Sequence, residues 1–108
     1  MNLIFKALAD PTRRRVLELL RQGPLTAGEL SDHFPFSKPT MSAHFNVLRE
    51  ADLVDTQKVG KTVVYRLKLS VLEDALLGFA GALGMRAPKR THAKPATETE
   101  TNPWPQDR

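Results

Sequence analysis

Hydrogen-bonding side chains recur along one short segment of the sequence, at spacings that suit contact with nucleic acid. Between Lys38 and Glu50, the apolar residues Met41, Phe45 and Leu48 follow one another at intervals that place them on one face of an α-helix. Serine and threonine hydroxyls bond bases or phosphates, asparagine pairs with adenine, and short side chains let a helix enter the major groove of DNA. If the apolar face is buried, such side chains dominate the opposite and flanking positions, which are Lys38, Pro39, Thr40, Ser42, Ala43, Asn46 and Glu50.

A cluster of positive charge follows this segment. The stretch from 58 to 68 holds no acidic residue and four basic ones, Lys58, Lys61, Arg66 and Lys68. Clustered cations favour binding to phosphates. Tyr65, within the same stretch, is expected to pack in a sheet rather than to stack on a base. Taken alone, the 38–50 face fits a solvated surface helix equally well; beside this charge, it predicts a nucleic-acid interface.

Composition restricts the function classes further. The chain has 108 residues, with 16 Lys+Arg against 12 Asp+Glu and a formal net charge of +4, which supports one small and mildly basic domain. It has no cysteine, so disulfides, thiolate metal sites and cysteine nucleophiles are excluded. Residues 1–85 carry 11 basic and 9 acidic residues, too balanced a charge for sequence-independent coating of nucleic acid.

Location and domain boundaries follow from the two ends of the sequence. The N-terminal residues lack a signal-peptide pattern, and the longest uncharged apolar stretch, 75–85, is shorter than the roughly 18 to 20 residues of a membrane span. We expect a cytoplasmic protein without membrane insertion. Residues 86–108 are rich in proline and threonine and poor in apolar residues, which predicts a disordered tail with Trp104 as a candidate linear motif. The folded domain is predicted to cover residues 1–85.

Capping and turn residues divide this domain into four helices, a β-hairpin and a last helix. The first helix is indicated by the spacing of Leu3, Ile4, Ala7 and Leu8. From Leu53 the apolar period changes toward two, which predicts a hairpin turning at Gly60. The second helix is predicted to start at Asp10-Pro11 and to end at Gly23-Pro24. A capping box at Thr26 and Glu29 opens a third helix through Phe34, and Ser37 caps a fourth helix that ends near Ala51. A second capping box at Ser70 and Glu73 opens the last helix.

Two short helices joined by a tight turn at residues 34–37 are typical of a helix-turn-helix, and a basic hairpin directly after them is typical of a wing. The predicted fold is therefore mainly α with a small β-hairpin wing, in the order α-α-α-α-β-β-α.

The last helix carries more apolar residues than one small core can cover. They are Val71, Leu72, Ala75, Leu76, Leu77, Phe79, Ala80 and Leu83. A second copy of the chain would cover the remainder. Two-fold symmetry would then place two recognition helices about one DNA turn, roughly 34 Å, apart on a palindrome.

Four segments in this order resemble the ArsR/SmtB winged-helix repressors of bacteria, and most of all their SdpR-like autorepressor branch. They are FKALADPTRRR at 5–15, LTAGEL at 25–30, SKPTMSAHF at 37–45 and LREADLV at 48–54. The resemblance implies a homodimer that binds a palindromic operator and represses transcription, with DNA contacts from Lys38, Pro39, Thr40, Ser42 and Ala43 and from the wing around Lys61. It also implies an interface between the first and last helices, which we assign to Leu3, Ile4, Leu8, Leu72, Leu76, Phe79 and Leu83.

The chain also departs from the family pattern. Metal sensors of the family place cysteines before the recognition helix, or Asp and His ligands in the last helix, and neither pattern is present. His33, His44 and His92 are expected to be surface or packing residues, so no metal or cofactor is predicted. Ala43 stands where many relatives have histidine, which shifts expected base contacts toward Thr40, Ser42 and Asn46. Release from DNA is left to a small ligand, a sequestering protein or a change in protein concentration.

Two functions are compatible with a winged-helix domain of this kind. The leading hypothesis is a dimeric, sequence-specific and metal-independent DNA-binding repressor. The alternative is a winged-helix module that binds another protein without specific DNA readout, which would favour acidic or exposed apolar residues on the 38–50 face. The sequence shows no catalytic triad, phosphate loop or metal motif, so an enzyme is not expected.

Overall fold

A computed structural model of the chain describes residues 2–85. Within this range the elements are α1 (Asn2–Leu8), α2 (Pro11–Leu20), β1 (Leu25–Thr26), α3 (Ala27–Ser31), α4 (Lys38–Glu50), β2 (Val54–Val59), β3 (Thr62–Leu67) and α5 (Leu69–Ala82). The predicted helices and hairpin are thus present in the predicted order. The predicted tail at 86–108 and its Trp104 lie outside the described residues.

Local capping chemistry explains where three of the helices begin. The Asp10 carboxylate accepts bonds from the backbone N–H groups of Thr12 and Arg13, and Pro11 takes the first helical position of α2. Thr26 and Glu29 form a reciprocal capping box at α3. Ser37 accepts from the backbone N–H of Thr40 at the start of α4. These three predicted caps are confirmed.

The predictions for α3 and α5 were wrong in part. α3 ends at Ser31 and not at Phe34, because the residue before Pro35 is disfavoured in helical conformation and the chain tightens into turns there. α5 begins at Leu69 without a side-chain cap, so the expected capping box at Ser70 does not form. Its start is set instead by Lys68, whose backbone N–H donates to the Leu53 carbonyl at 2.8 Å where β3 ends.

The sheet has one strand more than the sequence predicted. Its order is β1-β3-β2, and all pairs are antiparallel. β1 pairs Leu25 with Tyr65 and Thr26 with Val64, so the residue that caps α3 is also bonded into the sheet. This short strand attaches the helix-turn-helix to the hairpin.

The core lies between the helices and one face of the sheet. Its largest fully buried side chains come from α2, α3, α4 and the segment after α4: Val16, Leu30, Met41, Leu48 and Leu53. α5 contributes far less, since Ala75 is the buried residue of that helix. None of the helices within residues 2–85 is both long and apolar enough to cross a bilayer.

Candidate nucleic-acid interface

α4 is fixed at both ends by local hydrogen bonds. At its N-terminus, the Ser37 hydroxyl accepts from Thr40 N at 3.3 Å and donates to Thr40 Oγ1 at 3.0 Å. At its C-terminus, Asp52 adopts a left-handed conformation with φ 61°, and the N–H groups of Asp52 and Leu53 donate to the carbonyls of Arg49 and Leu48. This is a Schellman motif with aspartate in the position that glycine usually takes.

Burial then decides which face of α4 reaches solvent. Met41, Phe45 and Leu48 are buried, as predicted. All seven predicted outward positions are exposed: Lys38, Pro39, Thr40, Ser42, Ala43, Asn46 and Glu50. Because Ser37 donates to the Thr40 hydroxyl oxygen, the Thr40 proton is left for another acceptor. The exposed face thus offers hydroxyl and amide donors and acceptors beside short side chains at Pro39 and Ala43.

The wing is held against α4 by an aromatic pair. The Phe45 and Tyr65 ring centroids lie 5.0 Å apart, and both side chains are buried. Tyr65 is therefore a packing residue, as expected, and burial raises the pKa of its hydroxyl, although the charge of Arg49 opposes this. The residues that line a groove between α3, α4 and β3 include Lys38 and Ser42 of α4, Val63 of β3 and the acidic Asp32 that follows α3.

Strand pairing separates the four basic residues of the wing stretch. β2 and β3 meet at a turn in which Gly60 has φ 64°, and Val59 pairs with Thr62. Since side chains alternate along a strand, this register places Lys58 on the same face as Val63 and Tyr65, close to the turn. Lys61 lies in the turn itself and is exposed.

Arg66 and Lys68 have different surroundings from Lys58 and Lys61. Arg66 pairs with Asp55 on the opposite face of the hairpin and lines a depression with Gln22 and Pro24 near the α2–β1 connection. Lys68 Nζ donates to Asp52 at 2.8 Å, and this hydrogen bond raises the lysine pKa. The structure therefore brings Lys58 and Lys61 together at the wing turn and places Arg66 and Lys68 elsewhere.

A second surface is apolar and faces away from the core. On it, Leu76 and Phe79 of α5 are each 44% exposed, while Leu83 just after the helix is 60% and Leu3 of α1 is 50% exposed. Phe5 of α1 contacts Phe79 edge-on at 5.0 Å and so joins the two helices. The other predicted interface residues, Ile4, Leu8 and Leu72, pack partly against the core of their own chain.

Two arginines of α2 have a role that the sequence analysis did not assign. Arg13 donates to the carbonyls of Lys6 and Ala7, and Arg14 donates to that of Leu8. Both side chains thus bind the C-terminal end of α1, where helix carbonyls lack partners and cations are favoured. The signal available in the sequence was the arginine run directly after the Asp10-Pro11 helix start.

Asp10 lies beside this arrangement. Partial burial favours its neutral form, but the backbone N–H groups of Arg13 and Thr12, with the nearby charge of Arg13, hold the carboxyl pKa below its ordinary value. Among residues 2–85, no three His, Asp or Glu side chains cluster as metal ligands would.

Known proteins share both the sequence and the fold. A helix-turn-helix domain model matches residues 8–57. The transcriptional repressor SdpR of Bacillus subtilis is 43% identical over 76 residues, which cover 70% of this chain and 84% of SdpR. The arsenical resistance operon repressor of Staphylococcus xylosus is 41% identical over 73 residues, or 68% of this chain and 70% of that protein.

A solved structure shows the same fold. The crystal structure of an ArsR family transcriptional regulator superposes with a TM-score of 0.66 at 32% identity, covering 80% of this chain and 92% of the other. The exposed face of α4, the hairpin wing and the similarity to these proteins all indicate the same family. The chain belongs to the ArsR/SmtB family of winged helix-turn-helix transcriptional repressors, and within it to the SdpR type.

Proposed function

We propose that this repressor acts as a homodimer that binds a palindromic operator in the cytoplasm without a metal ion. The observation that carries the proposal is the exposed face of α4, on which every predicted DNA-contacting side chain reaches solvent while the buried stripe fixes the helix in place. Acidic or large apolar side chains, which a protein-binding face would favour, are nearly absent there, since Glu50 at the last turn is its only acid.

Each part of the interface has a distinct role in this proposal. Thr40, Ser42 and Asn46 contact base edges in the major groove, and close approach is possible because Pro39 and Ala43 are small. Lys38 binds a phosphate at the N-terminal end of α4, where the helix dipole adds to its charge. Lys58 and Lys61 at the wing turn bind phosphates of the adjacent backbone. Arg66 makes a weaker contribution, because Asp55 shares its face of the hairpin.

Dimerisation is supported by the apolar surface on α5 and α1. Leu3, Leu76, Phe79 and Leu83 expose much of their apolar side chains to water, and such exposure is the kind that a second copy covers. We assign these four residues to the centre of the interface. Ile4, Leu8 and Leu72 lie at its edge, where they contact both their own core and the partner.

Metal independence rests on ligand chemistry. The Staphylococcus relative is named for arsenical resistance, but arsenite is bound by thiolates and this chain has no cysteine. Zn²⁺ can also be held by His, Asp and Glu, but within residues 2–85 no three of these side chains cluster as ligands. We therefore expect arsenite, Zn²⁺ and EDTA to leave operator affinity unchanged.

Selection of random duplexes by the purified full chain, read by sequencing at near-physiological salt with EDTA, tests the proposal. Enrichment of a palindrome with half-sites about one turn apart is expected, together with a dimer mass by light scattering. A folded dimer that enriches no sequence would contradict specific readout and favour the protein-binding alternative. Enrichment of a single, non-repeated half-site by a monomer would contradict the dimer.

A further inference from the structure

One side chain connects three helices of the domain. The Arg13 guanidinium on α2 donates through Nε to Ala7 O at 2.8 Å and through Nη2 to Lys6 O at 2.9 Å, both at the C-terminal end of α1. Its Nη1 lies 3.2 Å from Nδ1 of His44, which is on α4. Arg13 thus joins the end of α1 to the middle of the recognition helix.

The chemistry of the two groups fixes the direction of the third bond. A guanidinium has only donors, so the Nδ1 atom of His44 must accept, and the proton of the neutral ring lies on Nε2. An imidazolium has no acceptor and would also place a second positive charge against Arg13. The contact therefore requires His44 to be neutral.

The neighbours of His44 make this contact relevant to DNA. Ala43 lies on the exposed face of α4 and Phe45 in the core. A rotation or shift of α4 about the His44 contact would therefore displace the exposed hydrogen-bonding residues, whereas α1 carries Leu3 of the apolar surface. Arg14 provides an internal comparison, because it donates to Leu8 O at 2.8 Å at the same end of α1, and this bond does not reach α4.

We propose that Arg13 is a positioning residue for operator binding, which acts through His44 to hold α4 in a fixed direction relative to α1. The inference rests on the proposed dimer, in which α1 lies at the interface. In that dimer, the direction of each α4 relative to its α1 sets the spacing between the two recognition helices and hence the half-site spacing that is accepted.

Three kinds of DNA duplex distinguish a role of Arg13 in positioning α4 from a direct contact with DNA. They are the selected operator, versions with one base pair added or removed between the half-sites, and a single half-site. For Arg13→Gln we expect about a tenfold loss of affinity for the selected operator, the scale of one charged hydrogen bond, and weaker discrimination between spacings. Half-site affinity should stay unchanged, because Arg13 does not touch DNA. Arg14→Gln is the matched control and should keep the wild-type spacing preference.

His44 variants test the same link from its other side. His44→Gln retains an acceptor oxygen for the Arg13 guanidinium, so it should keep the spacing preference of the wild-type chain. His44→Leu removes the acceptor and should behave like Arg13→Gln, which keeps the test decisive if the arginine variant fails to fold. If both Arg13→Gln and His44→Leu discriminate between half-site spacings as the wild type does, the inference is overturned and the proposed function is not. The same holds if Arg14→Gln loses this discrimination as much as Arg13→Gln does. Absence of any selected palindrome for the wild-type chain overturns the proposed function and the inference together.

Discussion

The rings of Phe45 and Tyr65 lie 5.0 Å apart at an interplanar angle of 41°, and they join the recognition helix to the central strand of the sheet. Phe45 faces inward from α4 while Ser42 and Asn46 face outward. Tyr65 lies on the hairpin whose turn carries Lys61. This aromatic contact therefore fixes the exposed face of α4 relative to the basic wing turn, the two surfaces that are proposed to bind one DNA duplex.

The first prediction concerns this contact. Tyr65→Phe keeps the ring and should leave operator affinity unchanged, whereas Tyr65→Ala should lower the free energy of unfolding by about 3 kcal/mol, as for other buried aromatic residues replaced by alanine. Chemical denaturation and operator titration of the two variants measure these effects. A large loss of DNA binding in Tyr65→Phe, with stability retained, would instead indicate that the hydroxyl contacts DNA.

The same residue predicts a dependence on alkaline pH. Burial raises the pKa of Tyr65 above its ordinary value of 10.0, so the folded chain retains a proton that the unfolded chain loses. Stability should then fall as pH rises above 10.0, and Tyr65→Phe should lack this component. Because Tyr65 is the single tyrosine of the chain, tyrosinate absorbance follows its titration directly.

Local chemistry explains how much of the fold the sequence could predict. The starts of α2, α3 and α4 were predictable because each depends on a side chain within three residues of the helix, namely Asp10, Thr26 and Ser37. The start of α5 was not, because it depends on the backbone bond from Lys68 to Leu53. β1 is only two residues long and exists because β3 lies beside it, which no local pattern reveals.

The candidate site also has features that the sequence could predict and features that it could not. The exposed face of α4 was predictable because its buried stripe has helical spacing. The grouping of the wing charges was not, because the pairing of Val59 with Thr62 decides which face each side chain takes. The pairing of Lys68 with Asp52 and of Arg13 with His44 joins residues distant in sequence, and such partners are chosen by the packed fold.

The second prediction tests the exposed face of α4. Ser42→Glu places a carboxylate against the phosphates and base edges of the groove, so operator binding should be abolished while the fold and the dimer persist. Electrophoretic mobility shift, circular dichroism and light scattering measure the three properties. Ser70→Glu is the matched control, since it makes the same change at an exposed position in the first turn of α5 and should bind normally. Retained affinity in Ser42→Glu would remove this face from the DNA contacts.

The third prediction separates the wing charges. Each phosphate contact contributes about 0.9 to the slope of log affinity against log salt, so Lys61→Ala, which removes two contacts from the dimer, should reduce the slope by about two. Lys58→Ala should act similarly. Arg66→Ala should have less effect because Asp55 shares its face. Lys68→Ala should have least, since its ammonium binds Asp52. Equal reductions in all four variants would contradict the separation.

The fourth prediction concerns the Asp10 cap. Asp10→Ala removes the acceptor for Thr12 N at 2.7 Å and Arg13 N at 3.2 Å and should cost about 1 kcal/mol. Because the folded-state pKa of Asp10 lies below 3.8, the stability from its ionised form is complete above that pH and is lost as pH falls through the folded-state pKa. Asp10→Asn keeps an acceptor but does not titrate. The advantage of wild type over Asp10→Asn in urea unfolding should therefore shrink in acid; an advantage independent of pH would contradict this origin.

The last prediction addresses the apolar surface. Leu76 is 44% exposed and lies on the stripe of α5 that also carries Phe79 and Leu83, so Leu76→Glu should place a charge inside the proposed dimer interface. The variant should be a folded monomer with greatly reduced affinity for the palindrome but wild-type affinity for a single half-site, because α4 is untouched. Leu77→Glu is the matched control: Leu77 is 51% exposed but lies about 100° around the helix from Leu76, outside the stripe, and this variant should remain dimeric. Sedimentation equilibrium gives the masses. If Leu76→Glu remains a dimer while Leu77→Glu dissociates, the interface lies on the other side of α5.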